Sequence, residues 1–209
     1  MCVRRLLFAG ILKFMKAEAY SHFTNKKTAP QFLPDFSADS ALDIDFAQLK
    51  KMGVKHILFD LDLTIRAPRA KEIEASVITY LVQQHQAGMF QTLNLATNNM
   101  HDVTAFSQPL NANVFQPFLA KGRLVRKPKP EFFQRILTDL KAKPHQVAMI
   151  GDKVRYDVGG GNSMGMVTIL MKPQGKDLFH DKLLFIRTRE KRLLKSARAA
   201  LEIAKTIQS

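Results

Sequence analysis

The stretch His56-Ile57-Leu58-Phe59-Asp60-Leu61-Asp62-Leu63-Thr64 constrains the fold more than any other part of this chain. A short apolar, β-prone run reads as a strand buried on both faces, and such strands belong to parallel sheets covered by helices. This one ends abruptly in two carboxylates spaced i, i+2. In an open α/β sheet the carboxyl ends of the strands form the ligand crevice, so acids at that end face a ligand rather than the core. Asp60 then projects from the strand tip and Asp62 from the loop beyond it. That placement suits a nucleophile, an acid/base partner and a magnesium ion close together. The plainer reading is a polar turn with Thr64 capping the next helix.

Two further apolar runs end in polar residues. Phe90 to Ala96 leads into Thr97-Asn98-Asn99, and Val147 to Ile150 leads into Gly151-Asp152 with Asp157 close behind. Lys127 lies between them in a basic, proline-flanked loop from Lys121 to Pro130. Helices are expected over Phe46 to Lys51, stopped by Gly53, over Glu72 to Gln86, stopped by Gly88, and over His101 to Gln108. A short strand is expected at Val114-Phe115, a helix from Pro130 to Leu140, and a last strand over Met166 to Met171. Strands alternating with helices give an α/β fold with a doubly wound parallel sheet. The stretch from Gly159 to Gly165 does not fit G-x-G-x-x-G and reads as a tight passage from helix to strand.

Lys and Arg number 32 against 18 Asp and Glu, a formal net charge of +14. Such a chain is drawn to anionic surfaces, phospholipid head groups or nucleic acid, and charge alone does not choose between them. One cysteine, Cys2, excludes an internal disulfide and a cysteine-based zinc site and fits a reducing cytoplasm. The apolar run from Leu6 to Leu12 is far shorter than the roughly 20 residues a membrane-crossing helix needs. Val3, Leu6, Leu7, Ile11, Phe14 and Met15 recur at helical spacing beside Arg4, Arg5, Lys13 and Lys16, a pattern suited to lying on a membrane or to packing on the core. Ser21 to Ser40 reads as a polar, proline-bearing connector. Residues 176–209 read as a basic helical tail.

The sequences FDLDLT, LATNN, RKPKP and GDKVRYDVGGGNSMGM, in that order between Phe32 and Met171, resemble the haloacid dehalogenase (HAD) superfamily of aspartyl-phosphate-forming phosphatases. Within it they resemble the YqeG-type branch (subfamily IIIA), which includes phosphatidylglycerophosphate phosphatases. The resemblance implies a Rossmann-like, HAD-like core over residues 32–175, preceded by a basic extension (1–31) and followed by the tail. It implies Asp60 as nucleophile and Asp62 as general acid/base. It also implies Mg²⁺ held by Asp60, the Asp62 backbone carbonyl and Asp152. Thr97 and Asn98 would hold the phosphoryl oxygens, Lys127 would offset their charge, and Thr64 and Asp157 would support the site. The chain departs from the branch at Leu63, where the pattern usually has Asn before the threonine.

Neither the span from Thr64 to Thr97 nor that from Thr97 to Lys127 can hold a cap domain beyond its own core elements, so the site is expected to be open and uncapped. Its rim looks basic, with Arg66, Arg69 and Lys71 on one loop and Lys121, Arg123, Arg126 and Lys129 on another. The expected substrate is a phosphomonoester on an anionic phospholipid head group, reached by peripheral contact at the inner membrane face. The alternatives are a soluble nucleotide or sugar phosphate phosphatase, and an RNA- or ribosome-associated protein of the same fold. Oligomeric state is not readable from the sequence.

Overall fold

The computed structural model describes residues 30–175 and 186–208. The amphipathic stretch read over residues 3–15 and the first part of the tail lie outside the described residues. Six parallel strands form one sheet in the order β1-β8-β7-β2-β3-β4. They are β1 (Phe36–Ala38), β2 (His56–Phe59), β3 (Thr92–Ala96), β4 (Asn113–Phe115), β7 (Val147–Gly151) and β8 (Val167–Met171). From β2 the chain winds outward to β3 and β4 on one side, then returns to β7 and β8 on the other. The order therefore reverses between β2 and β7, the place where such sheets open a ligand crevice.

Side-chain alternation sends each strand to two cores. Ile57 and Phe59 of β2 pack with Leu93, Leu95, Ala148 and Ile150 on one face. Leu58 joins Ala96, Val147 and Met149 on the other. The first face is covered by α1 (Phe46–Lys51), through Phe46 and Leu49, and by α2 (Ala75–Gln86), through Val77 and Leu81. α1 starts at Asp45, whose carboxylate accepts from the Gln48 amide, and ends before Gly53 at φ +85°. The opposite face is covered by α4 (Pro130–Asp139), where Phe132, Phe133, Ile136 and Leu137 recur at helical spacing and are buried. Proline at its first turn donates no amide, and none is needed there.

Three expectations are corrected. The connector read over Ser21 to Ser40 is, in its described part, structural: β1 pairs in parallel with β8, Phe36 opposite Ile169. The Asp35 carboxylate accepts from the Thr168 amide at 2.9 Å, and Asn162 donates to the carbonyls of Gln31 and Leu33 at 2.7 Å. The basic loop before Lys127 contains a hairpin, β5 (Phe118–Ala120) with β6 (Arg123–Val125). Its two turn residues, Lys121 and Gly122, have φ of +49° and +72°, the hand that matches strand twist in a two-residue turn. The expected helix over His101 to Gln108 shrinks to α3 (Thr104–Ser107) followed by a single 3-10 turn.

The glycine run is helical. After β7 the chain makes one wide π turn over Val154–Val158 and continues as α5 (Gly159–Ser163). A β-carbon on Gly160 would stand 2.4 Å from the Phe133 ring, so the missing side chain lets α5 and α4 close up beneath the sheet. The tail helix α6 (Ile186–Gln208) packs on this corner, with Ala197 fully buried among Phe32, Leu33 and Val154. No helix among the described residues is long and apolar enough to cross a membrane.

Candidate active site

Strand ends bring the charged residues together. Asp60 follows β2, and its amide donates to the Ile150 carbonyl of the neighbouring β7. Asp152 follows β7, so the two acids flank the reversal point of the sheet. Thr64 ties them: its hydroxyl oxygen lies 3.3 Å from both carboxylates and accepts from the Asp152 amide at 3.2 Å. Thr64 is buried, so it bridges the acids and does not serve as a plain helix cap.

Lys127 reaches the same point from the loop after β6. Its Nζ donates to Asp60 Oδ1 at 2.6 Å and to Asp157 Oδ1 at 2.7 Å, with only 2% of the side chain exposed. The loop is clamped by Asn98, whose side chain donates to the Lys127 carbonyl at 3.1 Å and accepts from the Lys127 amide at 2.9 Å. Asp157 is held from below by the Lys153 amide, which donates to its Oδ2 at 3.0 Å. It fits there because residue 151 is glycine: a β-carbon at Gly151 would sit 2.3 Å from the Asp157 carboxylate. Thr97, at the end of β3, is buried, and its oxygen accepts from the Asn99 amide at 3.0 Å. That bond orients the hydroxyl and leaves its hydrogen to donate.

The electrostatics follow from burial. Burial alone lowers the Lys127 pKa, but Asp157 and Asp60 outweigh it and hold the ammonium above its ordinary value. For Asp157 burial raises the pKa, Lys127 pulls it down, and Asp60 and Asp152 push it up again, to about 7. Carboxylate oxygens of Asp60, Asp152 and Asp157 all lie within 4.8 Å of one another. Three buried hard-oxygen donors around a single buried ammonium are an anionic cluster suited to a small divalent cation such as Mg²⁺.

Asp62 stands apart. Its carboxylate pairs with Arg66 four residues on, across a turn, and the Arg66 guanidinium lies 4.6 Å above the Phe106 ring. The carboxylates that converge are Asp60, Asp152 and Asp157; the Asp62 side chain is outside that group. Arg66, read from the sequence as rim charge, is the residue that holds Asp62. Lys129, also read as rim, donates to the Leu124 carbonyl at 2.6 Å and braces β6.

Leu63 has a structural account. Its φ is +65°, a left-handed conformation that Asn adopts more readily than Leu. The chain holds it there by bonds from the Leu63 amide to the Arg66 carbonyl and from the Gln174 amide to the Leu63 carbonyl, and by burying the side chain at 2% exposure. Two cavities adjoin these loops. One of about 590 Å³ lies beside Thr64 and is lined by Ile65, Lys71, Glu72, Ile73 and Gln174, among others. Another of about 740 Å³ is bordered by Pro128, Pro130, Arg155, Arg189 and Arg192.

A family model described as HAD-hyrolase-like matches residues 124–181. Probable phosphatase YqeG of Bacillus subtilis (strain 168) is 32% identical over 142 residues, 68% of this chain and 78% of that protein. The phospholysine phosphohistidine inorganic pyrophosphate phosphatase of Danio rerio is 46% identical over 46 residues, 22% of this chain and 17% of its own length. Among solved structures, D,D-heptose 1.7-bisphosphate phosphatase from B. bronchiseptica, complexed with magnesium and phosphate, is similar with a TM-score of 0.46. It shares 16% identity and covers 73% of this chain and 99% of its own.

Proposed function

This chain belongs to the YqeG-type branch of the HAD phosphatases, and on that premise we propose that it hydrolyses a phosphomonoester on an anionic phospholipid, phosphatidylglycerophosphate, at a membrane surface. The observation that carries the reaction class is the buried contact of Lys127 with both Asp60 and Asp157, beside Asp152, at the reversal point of the sheet.

A phosphomonoester repels nucleophiles by its own charge, so the site must supply positive charge and fixed donors first. Lys127 supplies one charge, and its bonds to Asp60 and Asp157 place it before substrate arrives. Mg²⁺, held by Asp60, Asp152 and the Asp62 backbone carbonyl with Asp157 beside them, would supply the remaining neutralisation of the phosphoryl oxygens. Asp60 attacks phosphorus as the P–O bond to the alkoxide breaks, giving an aspartyl phosphate. Asp62, released from Arg66 and protonated, gives its proton to the departing alkoxide. The resulting Asp62 carboxylate takes a proton from water as that water attacks phosphorus, which regenerates Asp60 and frees phosphate. The Thr97 hydroxyl and the Asn98 backbone amide hold the phosphoryl oxygens.

The lipid assignment rests on the resemblance of the four motifs, on the charge of +14 and on spans between the motifs too short to hold a cap domain. A phosphate-release screen tests it, comparing phosphatidylglycerophosphate in mixed micelles with soluble sugar phosphates and nucleotides. Preference for the lipid is expected. Preference for a soluble ester, with the lipid untouched, would replace the substrate and leave the chemistry in place.

A further inference from the structure

Three large apolar side chains stand exposed among the described residues: Leu42 at 43%, Met100 at 68% and Leu119 at 74%. Two of them belong to the mouth of the site. Met100 follows the Thr97-Asn98-Asn99 turn, and Leu119 lies in β5, on the hairpin that leads into Lys127. The two segments are tied at both ends. Gln116, at the foot of the hairpin, donates to the carbonyls of Asn99 at 2.9 Å and His101 at 2.7 Å, while Asn98 clamps the Lys127 backbone at the other end.

Strand alternation explains why Leu119 faces outward. Its neighbours Phe118 and Ala120 pack against the core, and the Arg135 guanidinium covers the Phe118 ring at 4.7 Å. Lys121 and Arg123 on the same hairpin, and Arg126 just after it, are all exposed, and among the described residues no carboxylate pairs with them. The sequence carries no acid between Asp102 and Glu131. Exposed aliphatic side chains flanked by unpaired cations match the interface of an anionic bilayer, which takes both; RNA takes the charge and leaves the aliphatics in water.

We infer that the β5–β6 hairpin and the Met100 turn dock the mouth of the site onto anionic phospholipid, Leu119 and Met100 entering the interface and Lys121, Arg123 and Arg126 contacting head groups. This rests on the lipid reading of the substrate. It assigns the lipid-facing surface to residues that take no part in phosphoryl transfer.

The chain contains no tryptophan, so Leu119→Trp places a single tryptophan on the hairpin, excited selectively over the three tyrosines. Its emission should shift to the blue with phosphatidylglycerol/phosphatidylcholine vesicles and stay unchanged with phosphatidylcholine alone. Lys121→Gln/Arg123→Gln/Arg126→Gln should weaken vesicle sedimentation on the order of a hundredfold at low salt, about fivefold for each cation near the surface. Met100→Ser/Leu119→Ser should weaken it further in salt, where the charges are screened. Both sets should hydrolyse a small soluble ester at the wild-type rate, which also confirms that they fold. An unshifted Leu119→Trp spectrum overturns the proposal, as does unchanged sedimentation of the triple variant or RNA binding that displaces the vesicles. Loss of soluble-ester turnover in either set overturns it as well, since the hairpin would then belong to the catalytic mouth. Failure of the wild type on every phosphomonoester would instead remove the phosphatase reading, and the vesicle experiments do not depend on turnover.

Discussion

Arg126 and Lys127 are neighbours in sequence, one exposed and one at 2% exposure, and they show two ways in which this molecule uses positive charge. Lys127 is enclosed by Asp60 and Asp157, and its backbone is clamped by Asn98. In that low-dielectric setting each charge holds the others, and removing one strands its partners. The hairpin cations Lys121, Arg123 and Arg126 stand in water, where salt screens them and they act at a distance. In the proposed reaction, buried charge sets the chemical step and exposed charge sets encounter with the substrate surface.

The largest expected effect of breaking this contrast is at Asp60. Asp60→Asn keeps the shape but an amide cannot form the acyl phosphate, so turnover should fall to background in a phosphate-release assay while circular dichroism stays native. Lys127→Ala should come next. It should lower kcat and kcat/KM on the order of a hundred- to a thousandfold towards every substrate, soluble esters included, because the lost compensation belongs to the transition state. It should also cost about 3–5 kcal/mol of stability, read as a lower melting temperature, because two buried carboxylates, Asp60 and Asp157, lose their cation.

These effects trace to residues that could be read from the sequence, for a physical reason. At Asp60, Thr97 and Asp152 a buried strand ends in a polar residue, so hydrophobic pattern and chemistry mark the same position. Other parts depend on partners far away along the chain. The strand Phe36–Ala38 is only three residues long, and its neighbour Asp35 is fixed by Thr168, 133 residues on. Nothing local marks it as part of a sheet. The hairpin was hidden because its turn is Lys121-Gly122, and asparagine or aspartate before glycine is the recognisable form. The Asp62–Arg66 pair is a choice of side-chain rotamer, on which apolar periodicity is silent. The burial of Ala197 in α6 depends on Phe32 and Val154, so a run that reads as a basic helical tail has a packed face.

A pH experiment sharpens the buried side of the comparison. The Asp157 pKa is raised from 3.8 to about 7, so between those values the folded protein binds more protons than the unfolded chain. In chelator-treated protein, the Asp157 contribution, read as the stability of wild type minus that of Asp157→Asn, should therefore fall as pH rises from 3.8 towards 7 and stay low above it. Added Mg²⁺ should flatten that slope in thermal melts by replacing the proton as counter-charge. An unchanged difference in melting temperature between wild type and Asp157→Asn across this range would remove the burial argument for Asp157.

Salt should separate the two kinds of charge by a smaller amount. Raising ionic strength should increase the apparent KM for lipid in anionic vesicles severalfold and leave kcat for a soluble ester nearly unchanged. The smallest effect is expected at Leu63. Leu63→Asn relaxes a left-handed backbone by about 1 kcal/mol but gives up a buried side chain worth about 2 kcal/mol. A net loss near 1 kcal/mol in a denaturant titration is expected, with soluble-ester turnover within a fewfold of wild type.

The central claim is that Asp60 carries the phosphoryl group, and trapping tests it most directly. Asp62→Asn removes the group assigned to activate water, so phosphoenzyme should accumulate when this variant is mixed with Mg²⁺ and an activated phosphomonoester, then quenched with acid. Intact mass should increase by one phosphoryl group, and peptide mapping should place the adduct on Asp60. An adduct on any other residue, or full turnover in the Asp60→Asn protein, would contradict the account.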